Sequence, residues 1–177
     1  MNSLRSRVSA LGRRRRHRSA ARAILRLLPE PESWLDVGTG EAHFPETARK
    51  LFPYTSIDGL DPGPRVAYAR HLERVEEAYA GHVTDRHITA ILRGRYDVVT
   101  LLDRRSPVPD PRAELAAALT LLRPGGLLLV EAAPQESYEL RRRLEAYDCA
   151  IVAASRHVLD RLPYTCRIVA RRPRSAP

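Results

Sequence analysis

Residues 34–44 read WLDVGTGEAHF, and this stretch decides the fold. Trp34-Leu35-Asp36-Val37 is a short run suited to a buried strand. It passes directly into Gly38-Thr39-Gly40. Glycine at 38 and 40 permits a sharp turn and lets backbone N–H groups come close to a ligand. A helix follows: Pro45 suits a first helical turn, Phe44, Ala48 and Leu51 form its apolar face, and Pro53 closes it. Strand, glycine turn and helix in this order make the opening unit of an α/β sheet.

The pattern repeats outward in both directions. Upstream, Ala21, Ile24, Leu25 and Leu28 fall at i, i+3, i+4, i+7 on one helix face, which Pro29 and Pro31 end. Downstream, Thr55 to Leu60 reads as a second strand ending at Asp61-Pro62-Gly63. The stretch from Pro64 admits two readings. One is a single helix to Tyr79; the other is a helix ending near Arg74 and a strand over Val75–Ala80. The second keeps the alternation and is preferred. Tyr96–Leu102 and Leu127–Ala132 read as buried strands. Between them Asp110 caps a helix with Pro111 in its first turn, Leu115, Ala118, Leu119 and Leu122 form its face, and Pro124-Gly125-Gly126 breaks it. Leu140, Leu144 and Tyr147 line one more helix, and Cys149–Ala154 and Thr165–Ala170 are the last strands. Alternation of this kind predicts a three-layer α/β domain with a mainly parallel sheet and right-handed crossovers.

The chain has 177 residues and a net charge of +9, from 30 basic and 21 acidic residues. That length suits one domain. The charge is unevenly placed. Residues 1–29 hold nine arginines and no acid, so the other 21 basic residues balance all 21 acids. The domain is neutral and carries a basic leader. Residues 1–18 are expected to form a disordered, solvated tail, with contact to nucleic acid or an acidic surface as the sharper reading. The folded domain is expected over residues 19–172, with a short tail at 173–177. The Arg-, Ala-, Leu- and Pro-rich usage matches a GC-rich bacterial genome, which itself raises arginine over lysine. No apolar run is long enough to span a bilayer, and no signal peptide is visible, so a cytoplasmic protein is expected. Two cysteines, Cys149 and Cys166, are too few for a disulfide framework. His71, His82, His87 and His157 show no metal-binding spacing.

In open α/β sheets ligands sit outside the carboxyl ends of the strands, where strand order reverses. The glycine turn, the end of the second strand and Asp103 after the fourth converge there. An acid at the end of the second strand can accept hydrogen bonds from both ribose hydroxyls. Asp58 and Asp61 are candidates, and Asp61 is preferred because it ends the strand. A dinucleotide fingerprint would place a small residue where His43 stands, which argues against NAD or FAD, and there is no phosphate-loop GxxxxGK[ST] pattern.

LDVGTGEAHF resembles motif I of the class I S-adenosylmethionine-dependent methyltransferases, D/E-x-G-x-G-x-G. Asp36, Gly38 and Gly40 match it, and Ala42 stands at the third glycine. SIDGLDPG resembles that family's second strand, GRYDVVTLLD its fourth, and LLRPGGLLLVEA its turn into the fifth. The last two strands resemble its closing antiparallel pair. The resemblance covers residues 20–172. It implies a Rossmann-like sheet of seven mostly parallel strands with helices on both faces and S-adenosylmethionine as cofactor. By the same resemblance Asp36 and the Gly38-Thr39-Gly40 backbone hold the methionine moiety. Asp61 binds the ribose, Pro62 packs near the adenine and Asp85 meets the adenine amine. Asp103 faces the reaction centre.

Methyl transfer from a sulfonium needs mainly proximity and orientation. Where the acceptor must lose a proton, His43, Asp103 and Glu131 are the candidate bases. The residues after the fourth strand, DRRSP, depart from the N/D-P-P-Y of members acting on DNA or protein amines. Arg104 and Arg105 there suit an acidic substrate. A small-molecule methyl acceptor is the expected substrate. An RNA- or ribosome-directed enzyme using the leader and a non-catalytic cofactor- or protein-binding member are the alternatives. The chain carries almost no insertion beyond the core, so the first helix serves as a cap, the site is open, or a partner completes it.

Overall fold

The computed structural model describes residues 2–102, 110–157 and 165–174, with side chains described over 10–102, 110–155 and 165–174. The strands are β1 (Ser33–Val37), β2 (Ser56–Asp61), β3 (Ala78–Ala80), β4 (Tyr96–Leu101), β5 (Leu122–Ala132), β6 (Ala150–His157) and β7 (Thr165–Arg171). The helices are α1 (Asn2–Leu25), α2 (His43–Ala48), α3 (Arg65–His71), α4 (Arg86–Leu92), α5 (Pro111–Leu121) and α6 (Ser137–Ala146). The seven strands form one sheet in the order β3-β2-β1-β4-β5-β7-β6. All neighbours are parallel except β7, which runs antiparallel to both β5 and β6. The order reverses between β1 and β4, as a ligand crevice requires.

The two sheet faces bury different side chains because alternate residues of a strand point to opposite faces. Leu35, Val37, Val99, Leu101, Leu128, Val130, Ile168 and Ala170 enter one core cluster. Trp34, Ile57, Val98, Leu127, Leu129 and Val169 enter the other, with Ala20, Ala21 and Ile24 of α1 and Phe44 of α2. Trp34 is fully buried at the centre of that second layer, packed on the rings of Phe44 and Phe52 at 5.6 and 5.2 Å.

Several expectations meet their outcome here. The seven-stranded sheet and its antiparallel last pair are as the sequence indicates. The helix from Pro64 does stop, at His71, and a strand follows, but it spans only Ala78–Ala80. Between β3 and β4 the chain forms α4, which the apolar pattern did not reveal because only Ile88 and Leu92 are buried. Pro124-Gly125-Gly126 was expected to break the helix, but α5 already ends at Leu121 and the three residues lie within β5, which starts at Leu122. Asp110 caps α5 by accepting from the Arg112 and Ala113 N–H groups at 2.8 and 3.1 Å.

The leader is the largest departure. Residues 1–18 were expected as a disordered tail, yet α1 runs unbroken from Asn2 to Leu25. His17 is buried, and its ring meets Phe44 edge-on at 5.6 Å. Among the described residues Arg14, Arg15, Arg18 and Arg22 are exposed, whereas Ala20, Ala21 and Ile24 on the same helix are buried and hold it to the domain. The hairpin register also separates the cysteines. Ala150 pairs with Arg171, whereas Cys166 pairs with Arg156, so Cys149 and Cys166 stand at opposite ends of the β6–β7 ladder. At about 3.4 Å per residue that distance is far beyond disulfide reach, and both thiols are free.

Candidate functional site at the carboxyl ends of the strands

The glycine turn leaves β1 with its backbone tied to the neighbouring strand. The N–H groups of Gly38 and Thr39 donate to the Leu60 carbonyl at 2.8 and 3.2 Å. Gly38 and Gly40 have φ of 75° and 53°, where glycine is favoured. Ala42, standing at the third glycine of the pattern, also has a positive φ of 57° and is fully buried. A side chain on Gly40 would meet nothing within 4 Å, so that face of the turn is open. The Thr39 methyl fits against Gly59 of β2, where a Cβ would come within 2.7 Å. The Thr39 hydroxyl beside it is buried and has no hydrogen-bond partner among the described residues.

Asp61 organises the second part. Its Oδ2 accepts from the Gly40 N–H at 3.0 Å and its Oδ1 from the Gly63 N–H at 2.8 Å. The carboxylate therefore ties the glycine turn to the loop after β2, and each oxygen keeps a further lone pair for a hydroxyl. Asp58 is excluded by the pleat: three positions away, it lies on the opposite face. There it accepts from the Tyr96 hydroxyl at 2.8 Å and from the Glu77 N–H at 3.2 Å. Burial pushes its carboxyl up despite these donors, and burial followed by Asp58 pushes the Tyr96 hydroxyl up.

Asp36 is buried in β1 and accepts from the Thr100 hydroxyl at 2.7 Å, and Trp34 Nε1 donates to the same hydroxyl at 3.2 Å. Pro62 is exposed beside Asp61. Asp85 stands one strand further out, at the start of α4, where its Oδ2 accepts from the His82 N–H at 2.8 Å. Gly81 of that loop donates to the Asp61 carbonyl at 3.2 Å, so both acids belong to one rim. His43 begins α2, with Nε2 3.3 Å from Glu41. Burial, and then Arg13, hold its imidazolium below the usual histidine range. Asp103 lies outside the described residues, as do Arg104 and Arg105.

Two spaces meet at Leu102. A narrow cleft of about 10 Å³ is lined by Asp36, Gly38, Thr39, His43, Phe44 and Leu102. A larger cavity of about 790 Å³ opens at the ends of β4 and β5, with walls that include Leu102, Leu115, Val130, Leu140, Glu114 and Arg16. Arg16 reaches this cavity from α1. It bonds to Glu131 through Nε and donates from Nη2 to the Leu102 carbonyl at 2.8 Å. Glu131 also accepts from Nε of Arg167, its cross-strand partner, at 2.9 Å. Arg167 is buried; burial lowers its pKa while Glu131 supports its charge. Its Nη1 and Nη2 donate to Ser19 Oγ at 3.1 Å and the Arg16 carbonyl at 3.2 Å. Glu131, weighed above as a base, is thus the anion of a buried cluster that clamps α1 to the sheet. Sequence reading missed Arg16, Glu114 and Arg167. The available signal was a lone arginine inside TCRIVA, an otherwise apolar strand.

Sheet order, the open glycine turn and the strand-end acid define a class I S-adenosylmethionine-dependent methyltransferase architecture. The chain belongs to this family, since a family model described as "Methyltransferase domain" matches residues 12–166. It is similar to the ubiquinone biosynthesis O-methyltransferases of Azotobacter vinelandii (33% identity over 130 residues, 73% of this chain and 53% of that protein) and of Chromobacterium violaceum (32%, with the same shares). The chain therefore spans about half the length of the curated relatives it matches. Among solved structures it is similar to the N-methyltransferase NodS of Bradyrhizobium japonicum WM9 in complex with S-adenosylhomocysteine, with a TM-score of 0.72, 18% identity, and coverage of 92% of this chain and 88% of that one. The 1,6-didemethyltoxoflavin-N1-methyltransferase of Burkholderia thailandensis, with bound S-adenosylhomocysteine, gives a TM-score of 0.71 at 20% identity, covering 89% and 78%. The family's cofactor is S-adenosylmethionine. The residues present fit it: the turn is open over Gly40, Thr39 offers an unpartnered buried hydroxyl, and Asp61 retains acceptor capacity.

Proposed function

We propose that the chain transfers the methyl group of S-adenosylmethionine to a small-molecule acceptor held in the cavity at the ends of β4 and β5. One observation carries this reading: the cavity, about 790 Å³, adjoins the glycine-turn cleft through the shared wall at Leu102. That volume lies in the range of small-molecule sites. The relatives named as ubiquinone biosynthesis enzymes make a phenol-like hydroxyl a first acceptor to try.

In this reading Asp36 and the Gly38-Thr39-Gly40 turn hold the methionine end, Asp61 the ribose, and Pro62 and Asp85 the adenine. When bound, the cofactor supplies an electrophilic methyl on a sulfonium. The chain's own contribution is placement: Arg16 of α1 stands in the cavity wall and ties down the Leu102 carbonyl between cleft and cavity. His43 borders the cleft, and its lowered pKa leaves a neutral imidazole near pH 7 that can take an acceptor proton. Asp103, next in sequence after Leu102, is proposed to face the same point.

The narrowness of the cleft favours a second reading, a member of the fold that binds a partner without turnover. Calorimetry with S-adenosylhomocysteine separates the two. Binding, followed by methyl transfer to a phenol or amine from a panel, upholds the first. Absence of binding removes it.

A further inference from the structure

A second cavity, about 400 Å³, lies between α1 and α2, away from the acceptor cavity. Its charge is one-sided. Arg13, Arg14 and Arg18 of α1 line it on one side and Lys50 and Arg74 on the other, against one acid, Glu46. Glu46 is taken up by Arg74 at 3.8 Å, and Arg74 also donates to the Glu41 carbonyl at 3.0 Å. Among the described residues no ion pair joins Arg13, Arg14, Arg18 or Lys50 to an acid. Four cations thus converge on a space too large for a water and too small for a macromolecule. The sequence supplies acids freely elsewhere: Arg49, Arg65, Arg70, Arg112, Arg123 and Arg143 each have a carboxylate within 4.0 Å. An unneutralised concave group of guanidinium and ammonium charges is the chemistry that takes phosphate, through charge-assisted hydrogen bonds.

The position says which phosphate. His43 lines both this groove and the glycine-turn cleft, so the two spaces share a wall. At that shared wall Arg13 and Arg74 act against the charging of His43, while Glu41 and Glu46 act for it. We propose that the groove is an anchor for a phosphate group carried by the methyl acceptor, and this rests on the methyltransferase reading above. The enzyme would then select extended acceptors by an anionic end held between α1 and α2, the rest of the molecule running past His43 so that its nucleophile reaches the cavity at the ends of β4 and β5.

The test uses the full-length protein and inorganic pyrophosphate as the probe, with calorimetry at fixed salt. S-adenosylhomocysteine is titrated in parallel, so failure of the methyltransferase reading shows as loss of that signal alone. The wild type is expected to bind pyrophosphate, and Arg14→Glu/Lys50→Glu to weaken it by about tenfold or more. The charge-retaining Arg14→Lys/Lys50→Arg should restore binding. Unchanged S-adenosylhomocysteine affinity certifies that the variants are folded. Equal pyrophosphate affinity in wild type and the reversed variant overturns the proposal, as does absence of binding at millimolar pyrophosphate. A short single-stranded oligoribonucleotide is the third probe. Tight RNA binding that pyrophosphate cannot displace overturns the acceptor anchor in favour of a nucleic-acid surface.

Discussion

Asp61 does two jobs with one carboxylate: it accepts from the Gly40 and Gly63 N–H groups, and the proposed ribose contact uses what remains. Asp61→Ala should therefore lower S-adenosylhomocysteine affinity by about 1–3 kcal/mol, measured by calorimetry, with Asp61→Asn between the two. An affinity unchanged in Asp61→Ala would remove the acid from the cofactor site. Ala42 shows why glycine stands third in the family pattern. Its φ of 57° costs an L-residue about 1–2 kcal/mol, yet its methyl is packed with Ala69 and Val75. Relief of strain and loss of a buried methyl worth about 0.8 kcal/mol oppose each other in Ala42→Gly. Urea unfolding should show that variant within about 1 kcal/mol of wild type, whereas Ala42→Val, branched at a positive φ in a full core, should cost more than about 2 kcal/mol. For His43 the folded pKa is lowered, so the fold favours the neutral ring. That contribution is present above the unfolded pKa and is lost as pH falls through the folded one. An NMR titration should place the His43 midpoint below 6.5, the ordinary value, and Arg13→Ala should raise it. A midpoint above 6.5 contradicts the assignment.

At the scale of elements, the pleat explains what could be read from the sequence and what could not. The apolar runs place the strands, but that Trp34, Val98, Leu129 and Val169 share one face follows only from the register between strands. The same parity puts Asp36 and Asp61 on the α1 face and Asp58 on the other, so only the strand-end acid lies beside the glycine turn. On the α1 face the strands turn from apolar to polar as they approach their carboxyl ends. Trp34 gives way to Asp36, Val98 to Thr100, Leu129 to Glu131, and Val169 to Arg167 on antiparallel β7. The opposite face stays apolar to the end, with Val37, Leu101 and Val130. That polar top was legible as separate residues but not as a cluster, because Glu131 and Arg167 are 36 positions apart and meet only through the β5–β7 register. Arg16 was read as one charge in a run because nothing local marks it as the arginine that turns inward. Breaking the cluster should be severe. Glu131→Ala leaves the buried Arg167 guanidinium uncompensated and should cost about 3–5 kcal/mol in urea unfolding. Glu131→Leu/Arg167→Met, which removes the charges together, should recover most of it. Equal losses in both variants would mean that packing, not charge pairing, holds this corner.

At the scale of the whole molecule, eight of the nine arginines behind the net charge of +9 lie on a folded helix, α1, which packs on one face of the sheet and lines each of two cavities. A solvated basic tail and a structural helix make opposite predictions for one deletion. Removing residues 2–18 takes away seven of the nine leading arginines, Arg16 among them, and the buried ring of His17. Loss of a free tail would leave stability within about 0.5 kcal/mol. The packed helix predicts more. The His17–Phe44 edge contact is of a kind worth about 0.5–1.5 kcal/mol. Losing Arg16 also takes one of two guanidinium partners from the buried Glu131. Together these should lower stability by about 2 kcal/mol or more, while Ala20, Ala21 and Ile24 keep the remaining turns docked. Because Arg16 walls the cavity proposed for the acceptor and not the Asp61 rim, the truncated protein should keep most of its S-adenosylhomocysteine affinity and lose methyl transfer. Full activity together with unchanged stability would return residues 2–18 to the role of a solvated tail.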